Sequence, residues 1–402
     1  MTSTADLAPG LQQRLRVYPW FVLAAVVAAF VFIVATADGS STTSGRLGGD
    51  FPAFYSAGSI VADGNVDRLY DPATQAAAQV DLLGDEDGFI MYPYAPHVAA
   101  VYSPLSALDY RDAYVLHTAL MVAALVGSLW ILRPVIGIVD RWFAAVIAAT
   151  ITAYPVFVGV MGGQNTAVSL LLIAATWRAW HDDRDGLAGV MLTVLLFRPQ
   201  YALPIIGLAL LDRRWRTVAV AAAGAVGVWL ANAAVAGTGW ISFWYDGVRP
   251  LLEADAEVNA VNEIAPIGVT VALFGENSFA VLLGGAVSAA LVAGLMWLWW
   301  TRRVDLSARM AITVAALPLL GPHAIYYDAA LLVFTVLVLI DRGRLTPLGA
   351  TIIWLATLVH LSRFLLNVSP LIVVIGAVLV VAGQRLIADQ ADADRVLPIH
   401  DS

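Results

Sequence analysis

Long apolar runs divided by short arginine-bearing turns set the rhythm of this chain. Runs near 17–37, 113–132, 142–158, 166–180, 217–236, 278–300, 347–360 and 366–384 come close to the roughly 20 residues a helix needs to cross a bilayer. Two further stretches are apolar but interrupted. About 27 apolar residues separate the turn His181–Asp185 from the basic run Arg213-Arg214-Trp215-Arg216, and Arg198-Pro199-Gln200 breaks them. The stretch 308–340 is broken at Gly321-Pro322-His323. Each reads as a hairpin of two short helices with its tip inside the membrane. The pattern therefore predicts an all-α polytopic membrane protein of about twelve transmembrane helices, with residues 1–402 forming one integral membrane domain.

Two polar segments interrupt the rhythm. The first, 38–112, carries eleven acids against Arg46, Arg68 and Arg111; the second, 237–277, carries six acids against Arg249. So few basic residues place both segments outside, and the arginine-rich turns with both termini inside, the cytoplasm. These outer loops are expected to carry short amphipathic helices. One is expected after Asp50, where Phe51-Pro52 opens a run through Val61 that fits a helix lying on the membrane surface. Ala35-Thr36-Ala37 matches a small-x-small cleavage site, but the run Trp20–Ala35 exceeds the usual signal core of about 7–15 residues, which favours an uncleaved first span.

Composition agrees with the pattern. The chain is 60% hydrophobic and 13% charged, far from the roughly one quarter charged of soluble domains. A net charge of −8 argues against nucleic acid as a partner, and the lack of cysteine excludes disulfides, thiolate metal sites and cysteine nucleophiles. A backbone break inside a membrane must line a cavity or be buried in protein, so the two tips suggest a polar chamber. Discontinuous helices also occur at transporter sites, so a chamber alone does not identify an enzyme.

Ionisable groups at membrane depth are costly, and Arg198, Asp328, Arg363 and His323 are candidates on that ground. Arg198 offers a planar cation for phosphate or carboxylate; its bland role is a structural pair with Asp328 or with helix-end carbonyls. His323 with nearby Asp328 could act as a general base, or could merely cap the next helix. Asp50 stands at the mouth of the first outer segment as either catalyst or helix cap, and a cap held by helix amides would be a weaker base. Gln164 and Asn165 could donate hydrogen bonds to a substrate or cap the helix beginning near Thr166. Asp85-Glu86-Asp87 resembles an acidic metal-binding triplet but reads better as a solvated charge run.

Taken in order, Gly49-Asp50-Phe51 with Tyr55, Leu69-Tyr70-Asp71-Pro72, Tyr102-Ser103-Pro104-Leu105, Gly163-Gln164-Asn165, Arg198-Pro199 and Pro322-His323 resemble the membrane glycosyltransferases of glycosyltransferase family 87. That family, of GT-C type, is typified by mycobacterial polyprenol-phosphate-mannose-dependent α-1,2-mannosyltransferases. The resemblance runs from about residue 48 to 345. It departs from the family at Arg198-Pro199, where Lys-Pro is common, and at Tyr102-Ser103-Pro104, where Tyr-Pro-Pro is common. It implies an inverting transfer of a hexose, mannose foremost, from a polyprenyl-phosphate sugar to a hydroxyl of a glycolipid or glycan. The site would face outward on a bacterial plasma membrane and need no metal or other cofactor. Carried over by position, Asp50 and His323 become the catalytic pair and Arg198 the donor-phosphate contact. Tyr55, Gln164, Asn165, Tyr327, Asp328 and Arg363 are expected to touch substrate. The alternative is a secondary transporter or flippase for a lipid-linked sugar; a third option is a non-catalytic sugar- or lipid-binding subunit. No repeat of the two halves supports the transporter.

Overall fold

The computed structural model describes residues 9–37, 47–83 and 90–396, and the Asp85-Glu86-Asp87 triplet lies outside them. Those residues fold into helices, with one isolated antiparallel bridge between Glu263 and Ile325. Six helical segments are long and apolar enough to cross a membrane: Gln12–Thr36, Tyr110–Leu132, Trp215–Ala236, Ser278–Thr301, Pro347–Leu366 and Leu371–Ala388. A seventh crossing exists if the pair Phe143–Ile151 and Tyr154–Met161, bent by 72°, counts as one span. The chain is thus a polytopic membrane protein by length and composition of its helices.

The expected count of about twelve included the four half-length helices of the hairpins, the 16-residue Thr166–His181 and the bent pair between Phe143 and Met161. Asp185–Leu195 and Pro199–Leu211 have 11 and 13 residues. At 1.5 Å per residue they reach roughly 16–20 Å, against a hydrocarbon layer of about 30 Å.

Salt bridges show how these short helices fold back. Arg214 joins Asp185, at the start of one, to Asp212, at the end of the other, at 2.8 Å each. The two feet of the first hairpin are therefore neighbours, and its tip at Arg198 lies at the far end. The second hairpin runs up through Leu306–Leu319 and down through Leu332–Asp341; its feet are joined by Arg342 and Asp305 at 2.7 Å. Burial alone would raise the Asp305 carboxyl. Arg342 and the amide of Ala308 outweigh that and hold it below the usual carboxylate range.

The same linkages gather the arginine-bearing turns on one side. Asp212 also meets Arg309 at 2.7 Å and Arg302 at 2.9 Å, and Asp341 accepts the Ile138 amide at 2.7 Å. A carboxylate only 6% exposed with three guanidinium partners is a charge cluster that persists because every member is paired.

The other end holds the two tips and the polar segments. Phe51–Ala62 does not lie on the surface as an amphipathic helix: Phe51, Ala53, Phe54, Ser56, Ala57, Gly58 and Ile60 are all buried. Its small residues let other backbone approach, and a Cβ on Gly58 would stand 2.8 Å from the Tyr102 carbonyl. Phe54 packs among Tyr92, Tyr94 and Tyr102, while Phe51 packs against Tyr114 and His117. The second polar segment provides Trp240–Asn259, whose Trp244 Nε1 donates to the Pro93 carbonyl at 2.9 Å.

Candidate active site

Asp50 is placed by two loops pressed face to face. Its amide donates to the Gly162 carbonyl at 2.8 Å, and the Phe51 amide returns to the Gly48 carbonyl at 2.7 Å. Gly163, at φ +72°, has no room for a side chain because a Cβ would stand 2.4 Å from that of Phe51. Such closeness brings Gln164 directly to Asp50.

Asp50 occupies the N-cap position of Phe51–Ala62, yet its side chain makes no capping hydrogen bond. The expected cap role is corrected accordingly: the helix amides do not hold the carboxylate. Gln164 Nε2 donates to Asp50 Oδ2, while Gln164 Oε1 accepts from Arg198 Nη2 at 3.4 Å. The amide orientation follows from chemistry, since a carboxylate needs a donor and a guanidinium needs an acceptor. Arg198 Nη1 donates to Asp328 Oδ1 at 2.7 Å, and Nη2 also reaches the Tyr94 hydroxyl at 3.2 Å. Asp50, Gln164, Arg198 and Asp328 thus form one relay across both hairpin tips, in which each member has a partner of opposite character.

The burial of this relay is what makes it specific. Arg198 is 2% exposed, Gln164 5% and Asp328 4%, so none of the three could stand unpaired at low cost. Pro199 opens the helix behind Arg198, where a missing N–H costs nothing. Tyr94 enters because Gln75 and Gln79 pin the segment before it: Gln75 Oε1 accepts the Tyr92 amide at 2.9 Å, and Gln79 exchanges hydrogen bonds with the Ile90 backbone. Asn165 accepts from the Tyr94 hydroxyl at 3.3 Å and does not cap Thr166–His181. Two buried donors in this cluster, Asn165 Nδ2 and Arg198 Nε, meet no acceptor within the described protein. Buried donors of that kind are where a polar ligand or an ordered water would bind.

Other candidates sit apart from this relay. His323 Nδ1 pairs with Glu263 Oε1, and Glu263 Oε2 accepts the Ala324 amide at 3.2 Å. The sequence suggested Asp328 as the neighbour of His323; the ion pairs found are His323 with Glu263 and Asp328 with Arg198. Tyr55 donates its hydroxyl to the Leu108 carbonyl at 2.7 Å and packs edge-on against Tyr110. Tyr327 is buried beside the tips, within electrostatic reach of Asp50, Asp328 and Arg198. Arg363 lies beside Tyr154, Tyr326 and His360. Tyr94 and Glu263 are the two residues sequence reasoning missed. Tyr92-Pro93-Tyr94 is a rigid aromatic turn that could have drawn notice, while Glu263 is one acid among six in its segment.

Residues 92–322 match glycosyltransferase family 87, which covers more than half of the chain. The chain belongs to glycosyltransferase family 87. No curated protein and no solved structure matches it. Membership implies a glycosyltransferase, with a sugar donor and an acceptor in a membrane setting, and does not favour the transporter or flippase. The matched family 87 region contains Tyr94, Gln164, Asn165, Arg198 and Glu263, and stops one residue before His323. Asp50, Asp328 and Arg363 fall outside it.

Proposed function

We propose that this family 87 protein transfers a hexose, mannose being the one the resemblance implies, from a polyprenyl-phosphate sugar to a hydroxyl of a glycolipid or glycan acceptor. The reaction inverts the anomeric centre and takes place at the outer face of a bacterial plasma membrane. The observation that carries the reading is the carboxylate of Asp50, which Gln164 holds in place of the helix amides. Oδ2 accepts from that amide and no amide of the following helix caps the side chain, so the carboxylate is oriented by the loop that carries Gln164 and not by its own helix.

In this reading Asp50 accepts the proton of the acceptor hydroxyl as its oxygen bonds to the anomeric carbon. The bond from that carbon to the phosphate oxygen breaks, and its electron pair stays on the phosphate. The products are the new glycoside and a polyprenyl phosphate. Asn165 Nδ2 is a buried donor available to a sugar hydroxyl. Arg198 holds Gln164 from one side and Asp328 from the other, which fixes the tips around the reacting sugar. His323, paired with Glu263, is the candidate exit for the proton.

The test is transfer by the purified full chain, with radiolabelled polyprenyl-phosphate mannose and a panel of glycolipid acceptors. Asp50→Asn, close in shape and without charge, is expected to lower turnover by at least about 10²–10⁴-fold, the usual worth of general base catalysis. Turnover at the unsubstituted rate in a folded Asp50→Asn protein would remove Asp50 from the chemistry.

A further inference from the structure

Arg198 is the cation the sequence assigns to the donor phosphate, but its charge already faces Asp328. A second cation at the same end of the molecule is differently placed. Arg363 begins the short helix Arg363–Leu366, at the end of Pro347–Leu366 remote from the 341–344 turn. Among the described residues it makes no ion pair and no hydrogen bond, and its Nε is buried without a partner. Its guanidinium carbon lies 4.2 Å from the Phe364 ring.

Three residues earlier, His360 is 0% exposed; its Nδ1 lies 2.9 Å from Ser369 Oγ, while its Nε2 is buried and unpartnered. Tyr326 stacks on His360 with ring centres 4.3 Å apart and is within electrostatic reach of both Arg363 and Asp50. Around the cation the surface is apolar: Leu361, Phe364, Leu365 and Leu366 are all exposed.

A guanidinium at a lipid-facing position is costly unless an anion meets it. The exposed leucines and phenylalanine would suit a hydrocarbon chain, and the planar fork suits phosphate. An amphiphile with a phosphate head and a long apolar tail satisfies both demands. We propose that Arg363, backed by His360, binds the phosphate of the polyprenyl-phosphate donor, and that Arg198 positions Gln164 and Asp328 without touching that phosphate. This rests on the donor class given under Proposed function.

The experiment separates this assignment from the reaction itself by using a sugar-free probe. The full chain in phosphatidylcholine nanodiscs is titrated with farnesyl phosphate and, as a neutral control, farnesol. Loss of a charge-assisted contact should weaken farnesyl phosphate about ten- to hundredfold in Arg363→Gln and leave farnesol unchanged. Arg363→Lys, which keeps the charge and loses the fork, should fold and weaken binding by a smaller factor; size exclusion and thermal unfolding check both variants. Asp50→Asn and Arg198→Lys should bind as the unsubstituted protein does. Equal affinity in the unsubstituted protein and both Arg363 variants overturns the assignment and leaves the reaction standing. Displacement of farnesyl phosphate by excess phosphatidylglycerol would make Arg363 a site for bulk anionic lipid, which also overturns it. No binding by the unsubstituted protein rejects the donor class as well.

Discussion

Arg198 Nη1 and Asp328 Oδ1 meet at 2.7 Å, with side chains only 3% and 6% exposed, and each belongs to the tip of a different hairpin. The pair therefore joins the two hairpins to each other across their tips. A buried ion pair is costly to half-remove, because the remaining charge has nowhere to go. Arg198→Met or Asp328→Leu alone is expected to destabilise the protein by about 3–5 kcal/mol, whereas the double substitution should cost clearly less than their sum. Thermal unfolding of the three variants in nanodiscs reads the coupling directly; strict additivity would mean that the pair does not join the tips.

Gln164 is the next link, and its role is positioning. Removing its amide in Gln164→Leu deprives Asp50 Oδ2 of a donor and Arg198 of an acceptor. A hydrogen bond to a charged group is worth about 1.5–3 kcal/mol, so kcat should fall roughly ten- to hundredfold. The KM for donor should change far less, because the amide is not proposed to touch it. Gln164→Glu should be worse than Gln164→Leu, since it sets a carboxylate against Asp50. A large KM change with kcat preserved would contradict the positioning role.

How far the sequence foresaw this site depends on the range of the signal. Arg198 was legible because a charge followed by proline inside an apolar run is a local contradiction, and its pairing with Asp328 was already one of the two readings. Asp50 was legible as a lone carboxylate before Phe51-Pro52 at a helix start, but not what holds it: Gln164 lies 114 positions away. The Phe51–Ala62 helix was misread as a surface element because its alanines and glycine look like a weakly amphipathic face. Gly58 is small so that the backbone at Tyr102 and Ser103 can pack against it. Tyr94 carried only the weak signal of an aromatic turn in a polar segment, and Glu263 none, being one acid among six. The helix count exceeded the crossings because hydropathy cannot distinguish a run that traverses the bilayer from one that turns back at a tip.

The His323–Glu263 pair ties the second hairpin to the polar segment 237–277. Glu263→Ala removes both the imidazole partner and the acceptor for the Ala324 amide. Hydrogen exchange at 321–325 is then expected to accelerate, while exchange within Leu306–Leu319 stays slow, because its packing does not depend on Glu263. Independently, His323→Gln tests the proton route. If His323 carries the proton away, the variant should lose one limb of the pH–rate profile; an unaltered profile would exclude it.

The chain has no cysteine, so single introduced thiols report which side of the membrane each end faces. Asp212, Arg214, Asp305 and Asp341 tie the arginine-bearing turns together at one end, and the tips with Asp50 lie at the other. From the arginine distribution we propose that the first end faces the cytoplasm. His181 and Asp67 are both exposed and stand at opposite ends by this argument. In intact cells a membrane-impermeant maleimide should label Asp67→Cys, and should label His181→Cys only after permeabilisation. The reversed pattern would put the Asp50 relay on the cytoplasmic side, where a donor presented in the outer leaflet could not reach it. Labelling of both in intact cells would break the two-ended arrangement itself, because the six helices long and apolar enough to cross would then not separate the salt-bridged turns from the tips.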